Sequence, residues 1–185
     1  MDELESNARA FAKRKHAGQM RRYENLPYIV HLDRVAELLR THGYDDPTTM
    51  AAAYLHDAVE DTSATIDEIH QEFGPDVAEL VYWLTDAEKG RRKIRKLMSA
   101  WRLARAPWKA KLIKLADFAD NTPSIVEHDP GFASVYNAEK RTILRMMAAS
   151  EGTRLTSLPL FRLAAGEEQQ KLQELDDSPR ISGEQ

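Results

Sequence analysis

The chain has 185 residues, 42% hydrophobic and 30% charged, which suits one globular core and not a disordered segment. It has no cysteine, which excludes a disulfide scaffold, a zinc ribbon and a thiol nucleophile and points to a reducing, cytoplasmic setting. A net charge of −4 argues against a generic nucleic-acid binder, no apolar run approaches the roughly 20 residues of a membrane span, and the acidic start is expected to be neither a secretory signal nor a transit peptide.

Taken in chain order, the pattern is helical throughout. Leu4 to His16 follows the helical period, Gly18 to Tyr28 reads as a loop, and His31 to His42 is helical with Gly43 as its stop. Asp46-Pro47 caps and opens the next helix, expected to run unbroken to Thr62. Thr65 with Glu68 gives a capping-box pattern for a short helix over Ser63 to Phe73. After Gly74-Pro75, helices are expected over Asp76 to Thr85, Arg92 to Arg105 and Trp108 to Asn121. Pro123 and Asp129-Pro130-Gly131 read as the two ends of a loop, followed by a helix over Phe132 to Ala149. A weaker helix over Leu160 to Leu175 and a frayed tail over Ser178 to Gln185 close the reading. No alternating strand pattern appears, so the fold class is all-α.

The basic residues are segregated. Arg9, Lys13, Arg14, Lys15, Arg21 and Arg22 lie in a stretch without an acid, and a second acid-free stretch runs from Lys89 to Ala116 with eleven Lys and Arg. On an acidic chain this predicts local positive fields facing a small anionic ligand such as a phosphorylated metabolite, in preference to a nucleic acid or a membrane.

The chemistry concentrates in Ala51 to Thr62, AAAYLHDAVEDT. On a continuous helix His56 lies one turn from Glu60, and Asp57 one turn from Asp61. Four ionisable groups then crowd the end of an apolar, buried helix, where a cation is their cheapest common partner; the bland alternative is a salt-bridged helix end. His31 begins a helix after Tyr28-Ile-Val, and Asp117 follows an apolar run, with Asn121 four residues on along the same face. Together His31, His56, Asp57 and Asp117 offer two imidazoles and two carboxylates, a set suited to Mn²⁺, Fe²⁺ or Zn²⁺. His16, His42, His70 and His128 lack the apolar setting of a buried ligand.

The order His31, His56-Asp57, Asp117 resembles the HD superfamily of metal-dependent phosphohydrolases. The flanks are more specific. Phe11-Ala-x-x-x-His16-Ala-Gly-Gln19-x-Arg21-Arg22, Pro27-Tyr-Ile-x-His31, Leu55-His-Asp-x-Val-Glu-Asp-Thr62 and Lys114-Leu-Ala-Asp117-x-x-x-Asn121 are similar to the hydrolase domain of the RelA/SpoT alarmone enzymes. The resemblance covers about residues 4 to 148 and leaves no room for a synthetase domain, so a stand-alone small alarmone hydrolase is expected. It implies an HD-domain helical bundle over residues 1–152, with 153–185 as a C-terminal helical extension and tail.

The resemblance further implies that His31, His56, Asp57 and Asp117 bind one metal, normally Mn²⁺, and that Glu60 and Asp61 position and activate the attacking water. It places Asn121 at the ribose and Arg21 and Arg22 along the nucleotide pocket, with Lys114 and Tyr136 as phosphate contacts. The implied reaction removes the 3′-pyrophosphate of ppGpp or pppGpp. Leu32 stands where the family usually has Pro, the Arg22 to Pro27 loop lacks its common Gly, and Phe118-Ala119-Asp120 replaces a basic continuation. These departures are expected near the base and ribose, which opens the adenine alarmones (p)ppApp as substrates. Another HD-type phosphohydrolase, acting on NADPH or a nucleoside monophosphate, and a catalytically silent nucleotide-binding regulator are the alternatives. The sequence leaves the oligomeric state open.

Overall fold

The computed structural model describes residues 2–86 and 90–166, and among these every regular element is a helix. The first is α1 (Glu3–Lys15), where the Asp2 carboxylate accepts from Glu5 N at 2.8 Å and acidic and basic ends complement the helix dipole. It is followed by α2 (Ile29–Thr41), α3 (Pro47–Leu55), the single turn α4 (Ala58–Asp61), α5 (Ile66–Phe73) and α6 (Pro75–Leu84). Then come α7 (Arg92–Arg105), α8 (Trp108–His128), α9 (Pro130–Glu151), α10 (Thr153–Thr156) and α11 (Pro159–Ala165).

The central helix is α3. Its Met50-Ala-Ala-Ala-Tyr-Leu55 stretch is buried all round, and the three alanines let α1, α2, α6 and α8 approach closely. Asp46 caps it, accepting from Thr49 N at 3.2 Å and from Lys109 Nζ at 2.6 Å. Because α3 carries His56 at its end, this cap also anchors the site. Asp46→Ala is expected to destabilise the fold by about 1–2 kcal/mol, the usual range for losing an N-cap, read as a lower urea midpoint at unchanged m-value. An unchanged midpoint would show that the cap contributes nothing.

Three expectations are corrected. The helix expected from Pro47 to Thr62 is interrupted at His56 and Asp57, where Asp57 at φ −101° and ψ −3° departs from ideal helical values, so α3 and α4 are separate. The expected loop from Pro123 to Gly131 is absent. The α8 helix continues through Pro123 to His128, because the proline lies on an exposed face and the buried stretch Ala110 to Phe118 holds the helix in place. Asp129-Pro130 is then a cap and first turn, with Asp129 Oδ1 accepting from Phe132 N at 3.0 Å, the same device as Asp46-Pro47. The second helix starts at Ile29, ahead of His31.

Thr65 caps α5 as expected, accepting from Glu68 N at 3.1 Å, while the Glu68 carboxylate meets Lys15 at 2.8 Å. Gly74, at φ +86°, ends α5 in the left-handed region that glycine adopts without strain. Leu155, Leu160 and Ala164 of the expected C-terminal extension are buried in the same core as the rest. The helix expected to reach Leu175 ends at Ala165 with Gly166 as its cap; residues 167–185, including the expected tail, lie outside the described residues.

Candidate functional site

The break at Asp57 builds the site. Successive residues on an ideal helix diverge by about 100°, yet His56 Nε2 and Asp57 Oδ2 are 3.1 Å apart because Asp57 has left the helix. Both face His31, from the first turn of α2, and Asp117, from the buried half of α8. Ligand atoms of His31, His56 and Asp117 all lie within 4.8 Å of one another. Asp57 Oδ2 is 3.6 Å from His31 Nε2. The four residues singled out from the sequence as metal ligands thus converge on one point.

The donor chemistry fits a divalent cation. His56 Nδ1 sits 2.8 Å from Ala53 O and His31 Nδ1 sits 2.7 Å from Asp120 Oδ2, so both rings carry a proton on Nδ1 and present Nε2 to the centre. Those two Nε2 atoms are buried and make no hydrogen bond. Two orphaned imidazole nitrogens facing two carboxylates form a mixed N/O set for one divalent ion. Without metal, burial alone would lower both imidazoles, but Asp57 and Asp117 outweigh it: His56 is pushed up to about 9 and His31 well above its usual value.

The surrounding contacts include residues that the sequence did not single out. Asp120, three residues after Asp117 on the same helix face, holds His31 and accepts from Arg21 at 2.9 Å. Tyr28 donates its hydroxyl to Asp57 Oδ2 at 2.5 Å; burial and the Asp57 charge keep the phenol protonated. His16, set aside as a ligand for lack of an apolar setting, is buried and stacked on the Tyr28 ring.

A cleft of about 350 Å³ opens beside this centre. Arg21, Arg22, Glu60, Asp61, Lys114, Asn121 and Tyr136 all line it. Glu60 Oε2 accepts from Asp86 N at 3.1 Å, and desolvation together with the Asp86 and Asp57 charges raises its carboxyl above the usual range. Asp61 Oδ2 accepts from Gln19 Nε2 at 3.1 Å. The hydroxyl of Tyr136 is buried and makes no hydrogen bond.

Three basic and polar groups are more engaged than the sequence suggested. Lys114 Nζ pairs with Asp117 Oδ2 at 2.7 Å, and Asn121 Nδ2 donates to Asp117 Oδ1 at 2.5 Å. Arg21 is buried among Glu24, Asp120 and Asn121, while Arg22 is exposed with its guanidinium over the Tyr23 ring. The two acid-free stretches are likewise partly neutralised, by Arg9–Asp33, Lys15–Glu68, Lys109–Asp46 and Lys111–Glu151 ion pairs. From the second stretch Arg92, Lys96 and Lys114 reach the cleft, each paired with an acid of its lining: Glu139 at 2.7 Å, Asp86 at 2.6 Å and Asp117 at 2.7 Å.

The departures from the family pattern do not all sit where they were expected. Leu32 is wholly buried in the core, and Asp120 supports His31 and Arg21. Asn25, in the loop that lacks the common glycine, adopts φ +51°, a left-handed conformation that asparagine tolerates. Phe118 and the Arg22-Tyr23 pair do line the cleft.

Comparison with known proteins agrees with this geometry. Residues 8–153 match the HD domain family. A Drosophila melanogaster protein named guanosine-3′,5′-bis(diphosphate) 3′-pyrophosphohydrolase MESH1 is 36% identical over 122 residues, which is 65% of this chain and 68% of that protein. The Homo sapiens protein of the same name is 43% identical over 110 residues, 58% of this chain and 61% of that protein. The chain therefore spans about three fifths to two thirds of the length of these relatives. A solved structure of a metazoan SpoT ortholog, described as hydrolysing ppGpp with a role in starvation responses, superimposes with a TM-score of 0.79 at 26% identity, covering 93% of this chain and 97% of that one.

Proposed function

The chain belongs to the HD domain family, and from that premise we propose that it is a metal-dependent 3′-pyrophosphohydrolase of (p)ppGpp or (p)ppApp, with Mn²⁺ as its ion. The observation that carries the reading is the pair of imidazole nitrogens of His31 and His56 that make no hydrogen bond, set against Asp57 and Asp117 beside a cleft that basic and acidic side chains line together. The names of the relatives supply the substrate class.

The residues then divide the work. His31, His56, Asp57 and Asp117 hold the ion, with Asp120 and the Ala53 carbonyl fixing the two rings. When bound, a divalent cation polarises the phosphoryl oxygens and lowers the pKa of adjacent water. Glu60 and Asp61 orient the water, and Glu60 takes its proton as the new P–O bond forms. The bond between that phosphorus and the ribose 3′ oxygen breaks, pyrophosphate departs, and the 3′ oxygen becomes a hydroxyl by taking up the proton that Glu60 received from the water. Arg92, Lys96 and Lys114 offset the negative charge of the phosphates, and Tyr136 offers its hydroxyl to them. Asn121 and Arg22 face the nucleoside. The substrate is a small nucleotide and the location cytoplasmic; no described helix is long and apolar enough to cross a membrane.

We also propose that the adenine alarmone is turned over at least comparably to the guanine one. Arg21 is committed to Glu24, Asp120 and Asn121, which leaves base contact to Arg22, Tyr23 and Phe118. Guanidinium and aromatic faces stack on either purine and do not read its hydrogen-bonding edge.

The test is incubation with Mn²⁺ and a panel of ppGpp, ppApp, NADPH and nucleoside monophosphates, with products separated by ion exchange. Pyrophosphate is expected from the first two. Orthophosphate from NADPH or a monophosphate alone would establish a different HD-type phosphohydrolase. No turnover of any of them would establish a silent regulator. Side-by-side kcat/KM values decide the base: a guanine advantage beyond about tenfold, roughly 1.4 kcal/mol, overturns the adenine proposal and leaves the hydrolase reading standing.

A further inference from the structure

His16 is 4% exposed, yet it belongs neither to the metal set nor to the residues that line the cleft. Its ring stacks on Tyr28 at 4.6 Å between centroids and 20° between planes. Its Nδ1 lies 2.7 Å from Gln19 Oε1, and Gln19 Nε2 in turn donates to Asp61 Oδ2 at 3.1 Å. The proton positions along this chain follow from donor and acceptor capacity. A carboxylate only accepts, so the amide nitrogen of Gln19 faces Asp61, its oxygen faces His16, and His16 carries its proton on Nδ1. The Gln19 backbone is pinned as well, with its N–H donating to His16 O and its carbonyl accepting from Tyr28 N, each at 3.0 Å.

We infer that Gln19 is a positioning residue for Asp61, and that His16 sets which way the Gln19 amide faces. Asp61 needs such a tether. It ends α4, a single turn after the break at Asp57, and its side chain is exposed, so little packing limits its rotamers. A hydrogen bond to one carboxylate oxygen narrows those rotamers before the substrate arrives, the usual route by which neighbouring groups sharpen an active site. The Tyr28 ring that supports His16 is the same ring whose hydroxyl holds Asp57, so one buried imidazole steadies both ends of the His56 to Asp61 segment. This inference rests on the hydrolase reading, in which Asp61 acts with Glu60 on the water.

The test uses the full chain with Mn²⁺ and ppGpp. Gln19→Ala is expected to lower kcat about tenfold to a hundredfold, the range for losing a hydrogen bond to a charged group, with KM within about twofold of wild type, metal content unchanged and Tm lowered by the loss of the His16 acceptor. His16→Phe keeps the ring on Tyr28 and removes the N–H; it is expected to lower kcat without changing KM. Because His16 acts through Gln19, the double variant is expected to be no slower than Gln19→Ala alone. A Gln19→Ala enzyme within about twofold of the wild-type kcat, or a double variant as slow as the product of the two single losses, overturns the positioning role. A wild-type protein that releases no pyrophosphate overturns the hydrolase reading and this inference with it. Release by the wild type together with an unaffected Gln19→Ala variant sinks this inference alone.

Discussion

His56→Ala is expected to abolish both pyrophosphate release and bound metal while leaving the helical circular dichroism intact. The ring is one of the two imidazoles at this centre whose Nε2 atoms make no hydrogen bond, so the substitution removes a ligand and breaks no hydrogen bond at that atom. Its Nδ1 contact with Ala53 O is lost, a local cost at the end of α3. Catalytic metals contribute several kcal/mol of transition-state stabilisation, so the expected loss is about 10³-fold or more at ~1.4 kcal/mol per decade. Asp117→Ala is expected to be as inactive but less stable. It also strips the counter-charge from Lys114, whose ammonium is 2.7 Å away, and an acceptor from Asn121. In the metal-free protein Asp57 and Asp117 favour protonated imidazoles, so loading displaces protons and weakens as pH falls. Metal analysis and initial rates on the two variants check this, and full activity in either removes the site assignment.

Much of this centre was legible in the sequence because its ligands lie in strong local patterns. His56 and Asp57 end an apolar helix, and Asp117 and Asn121 sit four apart on another. The all-α class followed from helical periodicity over most of the chain, reinforced by the caps at Asp46 and Thr65. What the sequence did not reveal is the break at Asp57. The string Leu-His-Asp-Ala-Val-Glu-Asp carries no Gly or Pro, and it is the convergence of His31, Asp57 and Asp117, far apart in the chain, that coincides with the bent backbone. Asp120 was passed over as a mere departure from the family pattern, although it lies one turn from Asp117; its partners His31 and Arg21 are 89 and 99 positions away, a distance no periodicity spans. The burial of His16 was hidden for the same reason, since basic residues precede it and its ring packs against Tyr28 beyond the loop that starts at Gly18. Pro123 misled in the opposite direction: local chemistry argued for a loop, and burial of the preceding helix prevailed.

Glu60→Gln separates metal holding from water activation. Glu60 is not among the groups of the candidate metal centre; it stands on α4, three residues past Asp57, on the wall of the cleft. Its Oε2 accepts from Asp86 N, and a glutamine amide oxygen can keep that bond, so the variant preserves shape and anchoring while losing the ability to take a proton. Desolvation and the Asp86 and Asp57 charges raise the Glu60 carboxyl, which brings its basicity closer to the working pH and makes it a better proton acceptor than an ordinary glutamate. The expected loss in kcat is therefore the 10²–10⁴-fold typical of a positioned acid–base group, about 2.7–5.5 kcal/mol, with metal content unchanged. The sign of the pH effect follows. A base works when deprotonated, so at saturating metal wild-type kcat is expected to fall as pH drops through the raised Glu60 pKa, and Glu60→Gln is expected to lose that limb along with most of its rate. Asp61→Asn, which keeps an oxygen for Gln19 to donate to, is expected to retain the limb. A Glu60→Gln enzyme at wild-type rate, with the acidic limb intact, would move the proton acceptor elsewhere in the cleft, and Asp61 would be the next residue to test.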